Sequence, residues 1–139
     1  MCSSDLVVGL HYHLHQADYW YVPNGRARVV LHDLRVGSTT EGATECFDLG
    51  IAADGTTEHP CVFIPPGVAH GFASLTDMTI TYLVDGYYNA ADELGVAWDD
   101  PEIAGDWGVT DPVLSGRDQA NPTRVAIPER VRPVWPLRT

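Results

Sequence analysis

The chain has 139 residues, 45% of them hydrophobic, with ten prolines and a formal net charge of −11. That length suits one domain, residues 1–139, with a single core. The acidic balance excludes nucleic acid and anionic membrane surfaces as partners, because both require a basic face, and no apolar run approaches the ~20 residues that cross a bilayer. The start, Met1-Cys2-Ser3-Ser4-Asp5, lacks the basic and apolar stretches of a signal peptide, so the cytoplasm is the expected compartment.

The first predicted strand, 6–13, carries Gly9-Leu10-His11-Tyr12-His13. Alternation along a strand turns residues i and i+2 to one face, so His11 and His13 are expected to point the same way. Strands over 17–22 and 28–34 follow, separated by the turn signal Pro23-Asn24-Gly25. Four more are predicted over 45–52, 61–65, 71–75 and 78–84, with Asp54-Gly55 as a further turn. All are rich in Val, Ile, Tyr and Thr. Between two of them, Pro65-Pro66-Gly67-Val68-Ala69-His70 brings in another imidazole. Residues 89–94 read as one short helical turn. The remainder is an irregular tail with prolines from Pro101 to Pro136, held against the body by Trp98, Trp107 and Trp135. Many short strands at close spacing indicate an all-β antiparallel sandwich or barrel. Cys2, Cys46 and Cys61 show no metal-type C-x-x-C spacing. Cys46 and Cys61 lie in apolar runs and are expected to be buried, reduced thiols.

Histidine is the side chain best suited to move protons or hold a metal near neutral pH. The two histidine segments therefore admit two chemistries: proton abstraction beside a carbonyl, or transition-metal binding. The likeness of several blocks bears on that choice. They are Gly9-Leu10-His11-Tyr12 with Gln16-Ala17, His32-Asp33-Leu34-Arg35, and Ile64-Pro65-Pro66-Gly67-Val68-Ala69-His70-Gly71-Phe72. Further on come Tyr82, Asp85-Gly86-Tyr87-Tyr88, Trp98-Asp99-Asp100-Pro101, Asp106-Trp107 and Leu114-Ser115-Gly116-Arg117-Asp118. In order and spacing, over about residues 6 to 120, the series resembles the dTDP-4-dehydrorhamnose 3,5-epimerase family of the cupin superfamily.

The resemblance implies a cupin jelly-roll barrel, a homodimer and a nucleotide-linked 4-keto-6-deoxysugar substrate, epimerised at C3, C5 or both in deoxysugar biosynthesis without a cofactor. Such chemistry needs a base to remove the proton beside the ketone, stabilisation of the enolate, and an acid on the other face. By resemblance, His11 is the base, Asp118 orients it and Tyr88 is the acid. His13, Asp18, His70 and Tyr82 are expected to contact the substrate. Arg26, Arg28, Arg35 and Arg117 are the nearest candidates for a phosphate contact.

The chain departs from the family at three places. Val8 stands where the family has an arginine before Gly-Leu-His. Asp18 stands where it has a lysine whose cation stabilises the enolate oxygen. The chain also begins almost at the His11 strand, so an N-terminal segment of the family is expected to be missing. A carboxylate near a developing enolate repels it by ~4 kcal/mol at ~4 Å with an effective dielectric near 20, about three decades in rate. Asp18 also supports a different reading. His11-x-His13, Asp18 and Gly25 resemble the first motif of metal-dependent cupins, and Pro65-x-Gly67-x-x-His70 the second. His11, His13, Asp18 and His70 would then hold one divalent transition metal in an isomerase, lyase or oxygenase. Both readings claim His11. A third is a sugar-nucleotide-binding relative without turnover.

Overall fold

The computed structural model describes residues 5–57 and 59–136; Cys2 lies outside them. Seven strands form within a few residues of the predicted bounds: β1 Val7–Tyr12, β2 Asp18–Asn24, β3 Arg26–Asp33, β4 Thr44–Gly50, β5 Cys61–Ile64, β6 Val68–Ser74 and β7 Thr79–Val84. An unpredicted eighth, β8 Leu94–Gly95, is too short to leave a periodic signature. The short turn expected over 89–94 is a 3-10 turn at Ala90–Asp92, capped by the Asn89 side chain on the Ala91 N–H. Three further helical turns were not anticipated: α1 Gly116–Gln119 and 3-10 turns at Arg124–Ala126 and Glu129–Val131.

The strands make two sheets with antiparallel pairing, of order β4-β3-β6-β1-β8 and β5-β2-β7. This two-sheet arrangement is the one the jelly-roll expectation called for. Strand β2 alternates strictly, with Trp20 and Val22 turned inward and Tyr19 and Tyr21 outward. Trp20, Val22 and Ile64 of the small sheet meet Val29, Leu49 and Phe72 of the large one. The opposite face of the large sheet is covered by the tail: Val7, Leu10, Tyr12 and Val30 lie under Val96, Ile103, Trp107 and Ile127. A sheet covered on both faces explains why every residue of β6 is buried.

The tail is anchored as its tryptophans predicted. The Trp107 indole donates to the Trp98 carbonyl at 3.0 Å, and Arg35 lies 4.9 Å over the Trp135 ring. The thiols are a correction. Cys46 and Cys61 are free, but Cys46 is exposed and Cys61 half-buried. Both strands that carry them, β4 and β5, are sheet edges, so an apolar run there does not imply cover on both sides. Among the described residues no helix is long and apolar enough to cross a membrane.

The block 32–35, part of the family likeness, has a structural task. Burial by itself would raise the Asp33 carboxyl. Hydrogen bonds from Arg35, Thr40 and Ser38 overcome this and hold it well below the usual carboxylate range. Five donors converge there, at 2.6–3.0 Å, and pin the loop between β3 and β4. A depressed folded-state pKa means the unfolded chain takes up the proton first as pH falls below ~4. Asp33→Asn is expected to cost about 2 kcal/mol at pH 7 in urea unfolding. The gap to the parent should narrow as the pH drops below ~4, where the parent loses the same contribution.

Candidate functional site

A register shift between Val8 and His11 marks a bulge in β1. It breaks strict alternation, so Val7, Leu10 and Tyr12 enter the tail-side core while Val8 and His11 face the gap between the sheets. Gly9 is what permits it. Its φ is +106°, and a Cβ there would stand 2.8 Å from the His70 carbonyl oxygen and 2.9 Å from Gly71 Cα. Beyond the bulge, His11 lies opposite His70 of β6 in register. Asp18, first residue of β2, approaches from the other sheet. Together with His13, Trp20, Tyr82 and Glu93, these side chains line a cavity of about 270 Å³.

Two polar constellations share this cavity. In the first, His11 Nε2 lies 2.6 Å from Asp118 Oδ1. The other carboxylate oxygen accepts the Gly9 N–H at 3.1 Å. Asp118 is buried and placed by α1, whose Ser115 hydroxyl accepts the Asp118 N–H. A carboxylate serving as acceptor on both oxygens leaves His11 Nε2 as the donor. The lone pair of the neutral ring is then on Nδ1. Such a histidine can take a proton while its carboxylate partner stabilises the imidazolium formed.

In the second, His13 Nδ1 donates to the Asp92 carbonyl at 2.8 Å, and His70 Nδ1 to the Val68 carbonyl at 2.9 Å. Carbonyls only accept, so both rings carry a proton on Nδ1 and turn Nε2 toward Asp18. Each Nε2 stands 3.8 Å from an oxygen of Asp18, too far for a hydrogen bond. Asp18 accepts instead from Gln16 Nε2 at 2.9 Å and Trp20 Nε1 at 3.1 Å. Burial lowers the His70 pKa to about 4 against the opposing pull of Asp18, so the ring is neutral at pH 7.

Of the residues singled out from sequence, His11, His13, Asp18, His70 and Tyr82 line the cavity, and Asp118 backs His11. The four-ligand metal set is not assembled as expected. His13, Asp18 and His70 bring donor atoms within 4.8 Å of one another, whereas His11 stands outside that group with Nε2 on Asp118. Tyr88 is not brought to the cavity either. It is 78% exposed on the loop after β7, and Tyr82, from the sheet facing β1, is the tyrosine that lines it. Each arginine considered for phosphate meets an acidic side chain: Arg26 and Arg28 meet Asp48, Arg35 meets Asp33, and Arg117 meets Glu93.

Three contributors were not read from the sequence. Trp20 is two positions along β2 from Asp18, so its place on the same face was legible from alternation. Glu93 had no such signal. Asp92 is buried, and its carboxylate takes the Leu14 and His15 N–H groups at 2.6 and 3.0 Å. With its carbonyl on His13, it positions the whole segment after β1.

A family sequence model described as dTDP-4-dehydrorhamnose 3,5-epimerase matches residues 1–124. The spore coat polysaccharide biosynthesis protein SpsL of Bacillus subtilis is 39% identical over 73% of this chain and 67% of its own length. The dTDP-4-dehydrorhamnose 3-epimerase of Streptomyces niveus is 41% identical over 75% of this chain and 48% of its own. The structure superposes on NovW, a 4-keto-6-deoxy sugar epimerase from Streptomyces spheroides, with a TM-score of 0.85 at 35% identity, over 96% of this chain and 67% of that one. It also superposes on ChmJ, a 3'-monoepimerase from Streptomyces bikiniensis in complex with dTDP-quinovose, with a TM-score of 0.81 at 31% identity, over 96% and 68%. The chain thus spans about half to two thirds of the length of these curated relatives.

The Gly9 approach sets the geometry of both constellations. Gly9→Ala is expected to cost about 2–4 kcal/mol in urea unfolding, from a left-handed φ and a Cβ driven into β6. Gly55→Ala has a similar φ of +83° but open space around it. It should cost only about 1 kcal/mol.

Proposed function

This chain belongs to the dTDP-4-dehydrorhamnose 3,5-epimerase family, and we propose that it inverts a carbon beside the ketone of a nucleotide-linked 4-keto-6-deoxysugar. The observation that carries the reading is the His11–Asp118 pair at 2.6 Å on the edge of the cavity between the sheets. His11 takes the α-proton on Nδ1, and Asp118 stabilises the resulting imidazolium through Nε2–H. The electron pair moves into the enolate. A hydroxyl on the other side of the sugar then returns a proton to the same carbon, which inverts it.

Tyr82 supports that second role better than Tyr88. It reaches the cavity from β7, across from the β1 strand that carries His11, so the two groups address a bound sugar from opposite sheets. This proton transfer calls for no redox cofactor. The dTDP sugars held by solved relatives support a thymidine nucleotide handle.

In D2O with a dTDP-4-keto-6-deoxysugar, the parent chain should incorporate deuterium beside the ketone and form the epimer. His11→Asn should lower the exchange by about 10²–10⁴-fold. Tyr82→Phe should keep exchange but lose inversion by at least about tenfold, with Tyr88→Phe near parental. The reverse result for the two tyrosines would move the acid to the loop.

We also propose a homodimer formed through the outer face of the small sheet. Register places Phe63, Tyr19 and Leu83 side by side across all three of its strands. Phe63 and Leu83 are each 63% exposed. On a chain of net charge −11, this uncharged stripe is where two like-charged copies meet with least repulsion. Sedimentation velocity should show a dimer for the parent and a monomer for Phe63→Glu/Leu83→Glu. A parent that sediments as a monomer would remove this part of the reading.

A further inference from the structure

We propose that His13 Nε2, the Asp18 carboxylate and His70 Nε2 bind one divalent first-row transition-metal ion. In the epimerase this ion takes the place of the family's lysine. The three groups are buried and their donor atoms lie within 4.8 Å of one another. Both imidazoles are locked by Nδ1–H bonds to backbone carbonyls, the support that fixes the tautomer and direction of a metal-ligating histidine. Each therefore aims its Nε2 at Asp18 from 3.8 Å.

The buried Asp18 carboxylate and the two Nε2 atoms thus converge across gaps that no direct contact fills. A hydrogen bond does not span the gap. Metal–ligand bonds of ~2.0–2.2 Å set tetrahedral ligand atoms about 3.3–3.6 Å apart, so the two 3.8 Å gaps close by a few tenths of an ångström and the widest donor pair, up to 4.8 Å apart, by about an ångström. Among the described residues the ion-pair partners of Asp18 are these two imidazoles. Its remaining hydrogen bonds, from Gln16 and Trp20, orient the carboxylate without neutralising it. Two imidazoles and one carboxylate suit borderline ions such as Co(II), Ni(II), Fe(II) or Zn(II). Three protein ligands also leave coordination positions open toward the cavity.

The charge arithmetic links this site to the reaction. A divalent ion on one carboxylate with two neutral imidazoles has a net charge of about +1. That is the charge a lysine ammonium would carry at position 18. The sign that opposes an enolate in the metal-free site is thereby reversed, and a carbonyl oxygen at an open position is polarised. His11 is outside the ligand set, its Nε2 held by Asp118. Base and ion therefore occupy the same cavity without competing for one imidazole. This enolate role rests on the epimerase reading; the binding site does not.

The test is titration of chelator-treated protein with Co(II) and then Zn(II), without substrate, followed by visible absorption and calorimetry. One equivalent should bind, with Co(II) d–d bands that Zn(II) displaces and a rise in Tm on adding Zn(II). His13→Gln and Asp18→Asn should each weaken binding by at least about 100-fold, and His11→Asn should leave it within about threefold. His70→Gln provides a second ligand variant should either fail to fold by circular dichroism. Failure of the parent to bind, binding unchanged in the ligand variants, or loss of binding in His11→Asn would each overturn the site. Because binding is read without substrate, its failure leaves the His11 exchange result standing, and failure of exchange leaves the metal result standing.

Discussion

At Gly9 the backbone of β1 lies so close to β6 that a Cβ atom would meet the His70 carbonyl oxygen at 2.8 Å. Most of the cavity follows from that approach. The bulge it accommodates turns Leu10 into the tail-side core and His11 toward the other sheet. The Gly9 N–H holds Asp118 from the tail, and His11 then completes the same carboxylate. On the facing strand, the register that sets His11 opposite His70 also brings the second imidazole beside Asp18. One close contact between two strands thus couples the sheet, the tail and the polar interior of the cavity.

Asp118 and Asp18 both serve this cavity, and their surroundings divide their roles. Asp118 makes a short bond to a histidine and accepts a backbone N–H, so its charge is used in orienting one ring. Asp18 accepts from neutral donors, Gln16 and Trp20, and faces two imidazole Nε2 atoms beyond hydrogen-bond range. The first arrangement is complete with the atoms present and suits proton transfer. The second has one carboxylate and two imidazole nitrogens directed at a common point, which suits a cation. Placing the ion on His13 and His70 frees His11 for the base role, so the proton-transfer and metal chemistries cease to exclude each other.

The likeness to the family has parts of different physical standing. The blocks around His11, His70 and Asp118 meet at the cavity. Asp33 instead ties down the loop after β3, and Trp107 seals the tail over the large sheet. Val8, where the family has arginine, lines the cavity as an apolar side chain. These residues support the same fold for different reasons, and only the first group bears on chemistry.

The sequence by itself determined the seven longer strands, because period-two patterning and turn residues are local properties. It determined that His11 and His13 share a face; the same rule made the place of Trp20 beside Asp18 legible, although it was not read. Tertiary structure decided what depends on contacts distant in sequence. Tyr82 rather than Tyr88 reaches the cavity because β7 pairs with β2, while Tyr88 falls on the loop beyond it. Asp92 positions His13 across 79 residues of chain, with no spacing rule to announce it. Cys46 and Cys61 are apolar in context yet uncovered, because sheet order alone makes β4 and β5 edges. The partition of His11 from His13, Asp18 and His70 also needed three dimensions. Which ring nitrogen is free is set by the hydrogen bond the other one makes, and those partners come from Asp118, Asp92 and Val68.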